Sequence, residues 1–278
     1  MRCYLPLILH CLLSCDRVYC SADTPCPTSR SGSGCTTDVV DQTYCTADTD
    51  DCARRNIPDK AIKSSEKVNV PSSKTAPTNL KLVYFNGRGR AEVSRLILVA
   101  AGEQFEDVRL ETFLPEDKAK TPFGQLPVLE IDGKMYAQSV AIATYLAREF
   151  GFYGETNLDA LRIDEIVQLT QEIMNAAYTA YFYEPDENKQ AELIRELQEK
   201  QFPRYLGYYE KLLKDSGTSY FVGNSLTLAD LIVYDAVFSF LQRAYSIDGF
   251  PRVEALCQLV ESLPNIQTYV AQREKTPF

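Results

Sequence analysis

Tryptophan is missing from the 278 residues, and histidine occurs once, as His10. From Leu80 onward there is therefore no imidazole for a Ser-His or Cys-His relay or for a histidine metal site, and most hydrolase readings fail. No metal centre is expected. Cysteine is unevenly spread: Cys3, Cys11, Cys15, Cys20, Cys26, Cys35, Cys45 and Cys52 crowd the beginning, and only Cys257 follows. The later part has no Cys-x-x-C pair, which removes dithiol redox chemistry. Excess positive charge is lacking too, with 29 Lys and Arg against 38 Asp and Glu and a net charge of -9. Phosphate binding needs clustered cations, so no nucleic-acid partner is expected. Nor is a membrane span expected, because the apolar run from Leu5 to Leu13 is too short to cross a bilayer as a helix.

That run does suit a secretory signal. Met1-Arg2 precedes it, and Cys20-Ser21-Ala22 offers small residues before a cut, which gives a candidate signal peptide over residues 1–22. Pro6 and His10 interrupt the pattern, so an unstructured leader is the alternative. A cleaved leader would make the protein secreted or extracellular; otherwise it would be cytoplasmic. Residues 23–77 are rich in Ser, Thr, Asp, Lys and Pro without periodicity, the composition of a disordered tail. Cys26, Cys35, Cys45 and Cys52 within it allow three pairings, among which the sequence does not choose.

Periodic patterning begins at Leu80, and 45% apolar residues overall are enough for a full core. Leu80 to Phe85 reads as a strand, Arg90 to Ala101 as a helix closed by Gly102, and Phe105 to Leu110 as a second strand parallel to the first. Leu126 to Ile131 and Lys134 to Tyr136 flank Asp132-Gly133, a hairpin signal. Ser139 stands at an expected N-cap before Ile142, Tyr145, Leu146 and Phe150. This βαβ, ββα order is thioredoxin-like and occupies 78–155. Residues 156–278 read as all-α: one helix carries Ile163, Ile166, Val167, Thr170, Met174 and Ala177, and another runs from Leu193 to Leu213. Thr227 to Asp230 has capping-box spacing before an apolar helix reaching Leu241, and Pro264 precedes a short helix at Ile266 to Val270. The expected fold class is thus an α/β thioredoxin-like N-terminal domain plus an all-α C-terminal domain.

One cluster could carry chemistry: Tyr84 ending the first strand, Gly87 and Gly89 in the turn, Arg90 opening the helix. Free N–H groups at a helix start, with a phenol beside them, suit a small anion or a thiolate. Each residue taken singly is as readily an ordinary strand or turn residue. The motifs YFNGRGRAE at 84–92, TPFGQLPVLEIDG at 121–133, QSVAIATYLAREFG at 138–151 and VGNSLTLADL at 222–231 occur together in order. In these the chain resembles the sigma-class glutathione transferases, over nearly everything from Leu80 to Phe278.

The resemblance implies an enzyme that adds the glutathione thiolate to small hydrophobic electrophiles, as a homodimer, with glutathione as co-substrate and no other cofactor. It implies that Tyr84 donates a hydrogen bond to the glutathione sulfur, with Arg90 orienting or polarising the phenol. Leu126 before a cis Pro127 would pair its backbone with the tripeptide. Gln138 and Ser139 would hold the γ-glutamyl group, Gln125 and Lys118 the glycyl carboxylate, and Glu172 would reach the ammonium across the dimer. Phe85, Gly87, Tyr178 and Phe182 would form the electrophile pocket, with ordinary helix-face packing as the alternative for the last two. One departure stands out, since Leu114 replaces a tryptophan that the family usually places before Pro115. The resemblance leaves two alternatives, a glutathione-dependent prostaglandin isomerase and a crystallin-like protein without activity.

Overall fold

Successive side chains along strand β1 (Leu80–Phe85) point to opposite faces, which turns Leu80, Leu82 and Tyr84 into the core. The computed structural model describes residues 79–238, 244–274 and 276. The expected signal segment 1–22, the tail 23–77 with its four cysteines, His10 and the helix end near Leu241 lie outside the described residues.

After β1 a 3-10 turn (Gly89–Ala91) leads into α1 (Glu92–Ala101), which ends at Gly102 in the left-handed conformation, φ 73°. Glu103 and Gly102 return N–H bonds to Leu98 and Val99, so the helix stops where the glycine allows it to. β2 (Glu106–Leu110) lies parallel to β1 with Leu82 opposite Asp107, as the helical crossover requires. A short helix α2 (Pro115–Lys118) follows. β3 (Val128–Ile131) starts two residues later than the sequence suggested, after the cis Leu126–Pro127 bond, because Pro127 has no N–H for the ladder. Asp132 and Gly133 both have positive φ, 48° and 82°, the geometry that lets β4 (Lys134–Ala137) fold straight back. The sheet order is β2-β1-β3-β4, with β3 antiparallel to both of its neighbours.

The cap of α3 (Ser139–Glu149) corrects the sequence reading. Gln138 holds the cap position, with φ 78° and ψ 107°, and Ser139 is the first helical residue. Only this one residue separates β4 from the helix, so it takes a conformation that side chains disfavour in order to turn the chain.

The second half opens with α4 (Asn157–Tyr178), started by a reciprocal capping box between Thr156 and Asp159. It widens into a π turn through Tyr183, where the Glu184 N–H reaches Thr179 five residues back. The single helix expected over Leu193 to Leu213 is two: α5 (Glu187–Glu196) and α6 (Phe202–Ser216), joined by a second π turn (Leu197–Gln201). α7 (Leu228–Ala236) is buried along its whole length and has the expected capping box. Its Asp230 accepts from the N–H of Phe221 at 2.9 Å, the N–H of Thr227 at 2.7 Å and the Thr227 hydroxyl at 2.8 Å. α8 (Pro251–Ser262), not anticipated from the sequence, buries Val253, Leu256 and Val260, and α9 (Pro264–Gln272) packs behind it. α7 is the hub of the helical half. It packs against α4 and α8 and also against α1 of the sheet half, so the helix that follows the β1 turn rests on the second half's centre.

Candidate active site

The end of β1 delivers Tyr84 into this junction with 9% of its surface exposed. The turn then doubles back over it, and the N–H of Arg90 donates to the Tyr84 hydroxyl oxygen at 3.1 Å. Gly89, at φ 43°, makes the approach feasible: a Cβ there would lie 2.6 Å from that oxygen. Burial raises the Tyr84 pKa above its ordinary value, opposed by the Arg90 N–H bond, so the phenol keeps its proton at neutral pH. With its oxygen already accepting a bond, its remaining capacity includes one O–H to donate.

The Arg90 side chain goes elsewhere. Its guanidinium lies 4.3 Å from the centroid of the Tyr178 ring and donates to Asn175 Oδ1 at 3.1 Å, which ties the turn to α4. It is therefore the backbone of Arg90 that meets the phenol directly. Tyr178 is buried, which raises its own pKa well above the usual range, and its ring stands 6.0 Å from that of Phe182. Phe85 stays beside Tyr84, its ring edge-on at 5.4 Å, and meets Phe113 edge-on at 6.1 Å on its other side, while the Gly87 carbonyl accepts from Arg95 at 2.8 Å.

A narrow cleft beside the turn, holding about 30 Å³, is walled by Gly89, Arg90, Ser139, Gln171, Tyr178 and Asp235 among others. Phe85, Gly87 and Phe182 are not among its lining residues. Ser139 thus comes to the same cleft as the Tyr84 turn, with the open N–H groups of α3 behind it. Gln138 is exposed beside it. Gln125 is also exposed, Leu126 and Lys118 are half-buried, and Pro127 is buried. Glu172 does not line this cleft; it is exposed on α4 and accepts from the Tyr205 hydroxyl at 2.9 Å. Leu114, in the place of the family's tryptophan, is 42% exposed. A larger cavity of about 490 Å³ lies between α4 and α6, lined by Leu169, Tyr208, Leu212 and Phe221, and holds none of these residues.

Sequence reasoning missed Arg95, Gln171, Asn175 and Asp235. For Arg95 a signal existed, because a cation among Val93, Leu96, Ile97 and Leu98 interrupts an apolar helix and has to be satisfied by something.

A family model described as glutathione S-transferase, N-terminal domain, matches residues 80–148, and its C-terminal counterpart matches 172–273. Glutathione S-transferase 1 of Ascaris suum is 38% identical over 205 residues, which cover 71% of this chain and 98% of that one. The chain belongs to the glutathione S-transferase family. It is a transferase with glutathione as co-substrate. A Nu-class enzyme of Haemonchus contortus is similar in structure, with TM-score 0.63, 37% identity and coverage of 72% of this chain and 99% of that one. The prostaglandin synthase D of Nilaparvata lugens aligns with TM-score 0.66 and 31% identity, covering 71% and 100% of the two chains. All of these matches agree with a thioredoxin-like half followed by a helical half. Among the described residues no group of His, Cys, Asp and Glu could hold a metal ion, and no helix is long and apolar enough to cross a membrane.

Proposed function

We propose that this transferase activates glutathione through Tyr84, in a sigma-like site, for addition to small hydrophobic electrophiles. The observation that carries the reading is the buried, protonated phenol whose oxygen accepts the Arg90 N–H. A free thiol near pKa 8.5 is only about 3% ionised at pH 7, and lowering that pKa by two units takes about 2.7 kcal/mol of preferential stabilisation of the anion. One hydrogen bond to a charged sulfur supplies about 1.5 to 3 kcal/mol, so a single tyrosine suffices. The peptide part of glutathione would lie along Leu126 at the cis proline, with its γ-glutamyl carboxylate at the start of α3 against Gln138 and Ser139. Gln125 and Lys118 would take the glycyl end. The Leu114 side chain offers no N–H there, so that end is held less tightly than in a site with an indole.

Tyr84→Phe keeps the ring and removes the donor. Bound glutathione should remain, its thiol pKa should rise by about one to two units, and conjugation of an aryl halide at a pH well below the wild-type midpoint should fall about ten- to a hundredfold. The ultraviolet absorbance of the thiolate measures the shift. An unchanged thiol pKa with unchanged turnover would remove Tyr84 from the mechanism.

The similarity to the Nilaparvata prostaglandin synthase supports a second reading, isomerisation of a prostaglandin endoperoxide by the same activated thiol. A product assay on the endoperoxide separates the two. The transferase is further proposed to be a homodimer in which Glu172 serves the neighbouring copy's glutathione.

A further inference from the structure

Arg95 occupies a place in α1 where a leucine would be ordinary, and its side chain is fully buried. A buried guanidinium is costly unless its donors find partners. Two of those partners are carbonyls of the Tyr84 turn: Nη1 donates to Gly87 at 2.8 Å and to Arg88 at 3.3 Å. The same nitrogen donates to Glu92 at 3.2 Å, while Nε donates to Asp107 at 3.0 Å. Asp107 is shared with Arg109 at 2.8 Å.

Glu92, buried beside it, is gripped from the other end of the chain. The Tyr269 hydroxyl donates to it at 3.1 Å, and the Arg273 guanidinium pairs with its Oε1. The next residue, Glu274, accepts from Asn86 Nδ2 at 3.2 Å. Two consecutive residues just past α9 are thus fastened to the loop after β1, one through Glu92 and Arg95 and one directly.

We propose that Arg95 and Arg273 are positioning residues for thiol activation: Arg273, through Glu92 and Arg95, fixes the turn at 87–90 and with it the N–H that engages Tyr84. This rests on the reading of Tyr84 as the activating group. The turn needs such a hold. Two of its four residues, Gly87 and Gly89, are glycines, and a hydrogen bond weakens steeply as its donor swings off line. Around Glu92 the charges are Arg95 and Arg273, with Tyr269 the third partner, and Asp107 and Arg109 complete the cluster. Neutralising Arg273 leaves the carboxylate only the Tyr269 hydroxyl to balance its pull on Arg95, and Arg95 is what holds the two turn carbonyls.

The test uses the full chain as Arg273→Gln and Arg273→Lys beside Tyr84→Phe, reading the bound thiolate's absorbance and the pH profile of kcat/KM. Arg273→Gln should raise the midpoint by about half a unit and lower kcat/KM at pH 6.5 about twofold, converging with wild type towards pH 9. Arg273→Lys should restore most of the shift. A loss of folded enzyme would scale the profile at every pH without moving its midpoint. If Tyr84→Phe moves the midpoint and Arg273→Gln does not, the proposal falls and the role of Tyr84 stands. If neither moves it, the role of Tyr84 falls first. Should Arg273→Gln fail to fold, Tyr269→Phe removes a milder bond to Glu92 and should shift the midpoint the same way; an unmoved midpoint there overturns the proposal.

Discussion

A methyl group at position 89 would collide with the phenol on which the chemistry depends, standing 2.6 Å from the Tyr84 oxygen and 2.8 Å from its Cε1. Backbone strain adds to the clash, since φ at Gly89 is 43°. Gly89→Ala must therefore displace either the turn or the ring. We expect a stability loss of about 1 to 3 kcal/mol, the scale of a strained backbone position, and at least about a tenfold fall in conjugation at neutral pH. Chemical denaturation and aryl-halide kinetics check the two parts separately. Turnover unchanged in a destabilised variant would mean that the turn does not govern the phenol. At this scale the sequence was partly legible: Tyr84, Gly87, Gly89 and Arg90 stood out because a strand end, two glycines and a helix start meet there. What could not be read is that the Arg90 backbone rather than its guanidinium touches the phenol, since the guanidinium's partners, Asn175 and Tyr178, lie some 85 residues away.

Along α7 the capping box carries more than a surface cap would, because Asp230 is buried and receives two N–H bonds and a hydroxyl. Asp230→Ala leaves those donors without an acceptor in the core, and we expect a loss of about 2 to 4 kcal/mol, above the usual cost of a cap. Burial raises its folded pKa from 3.8 to about 6 against the pull of its donors. A raised pKa means that the folded state binds the proton more tightly than the unfolded one. This contribution to stability is thus fully present below about pH 4, fades as pH rises to about 6 and is constant above. The stability difference between wild type and Asp230→Asn, taken from urea unfolding, should shrink over that window in favour of the variant. A difference that grows with pH would reverse the sign. Elements with local signals were the ones read correctly: the β1 pattern, Gly102 ending α1, Asp132-Gly133, Thr227 with Asp230. The break between α5 and α6 was missed although it left a trace. Buried Leu197 and Phe202 are five apart, the step of a π turn, where an unbroken helix would place its next buried side chain three or four on. α8 had ordinary spacing in Val253, Leu256 and Val260 and was overlooked between two prolines.

For the molecule as a whole, the question is which chain completes a glutathione site. Gln171, not Glu172, lines the cleft with Ser139 in the same chain, while Glu172 is turned to Tyr205 of α6 and is exposed. A carboxylate one residue out of register with its own cleft is available to a neighbouring copy. The sheet half meanwhile leaves Phe123 64% exposed, together with Tyr136 and Tyr145, the kind of apolar surface that association covers. We expect a dimer at micromolar concentration by sedimentation. Glu172→Ala should weaken glutathione binding about five- to tenfold, the loss of one exposed charged contact, while stability changes by no more than about 1 kcal/mol. Tyr205→Phe frees Glu172 without removing its charge and should leave binding within about twofold of wild type, which separates the carboxylate's charge from its tether. If the site is completed in trans, dilution below the dimer's dissociation constant should raise KM for glutathione in wild type and leave that of Glu172→Ala nearly unchanged. A monomer that keeps full glutathione affinity would confine the whole site to one chain and leave Glu172 as a partner of Tyr205 only.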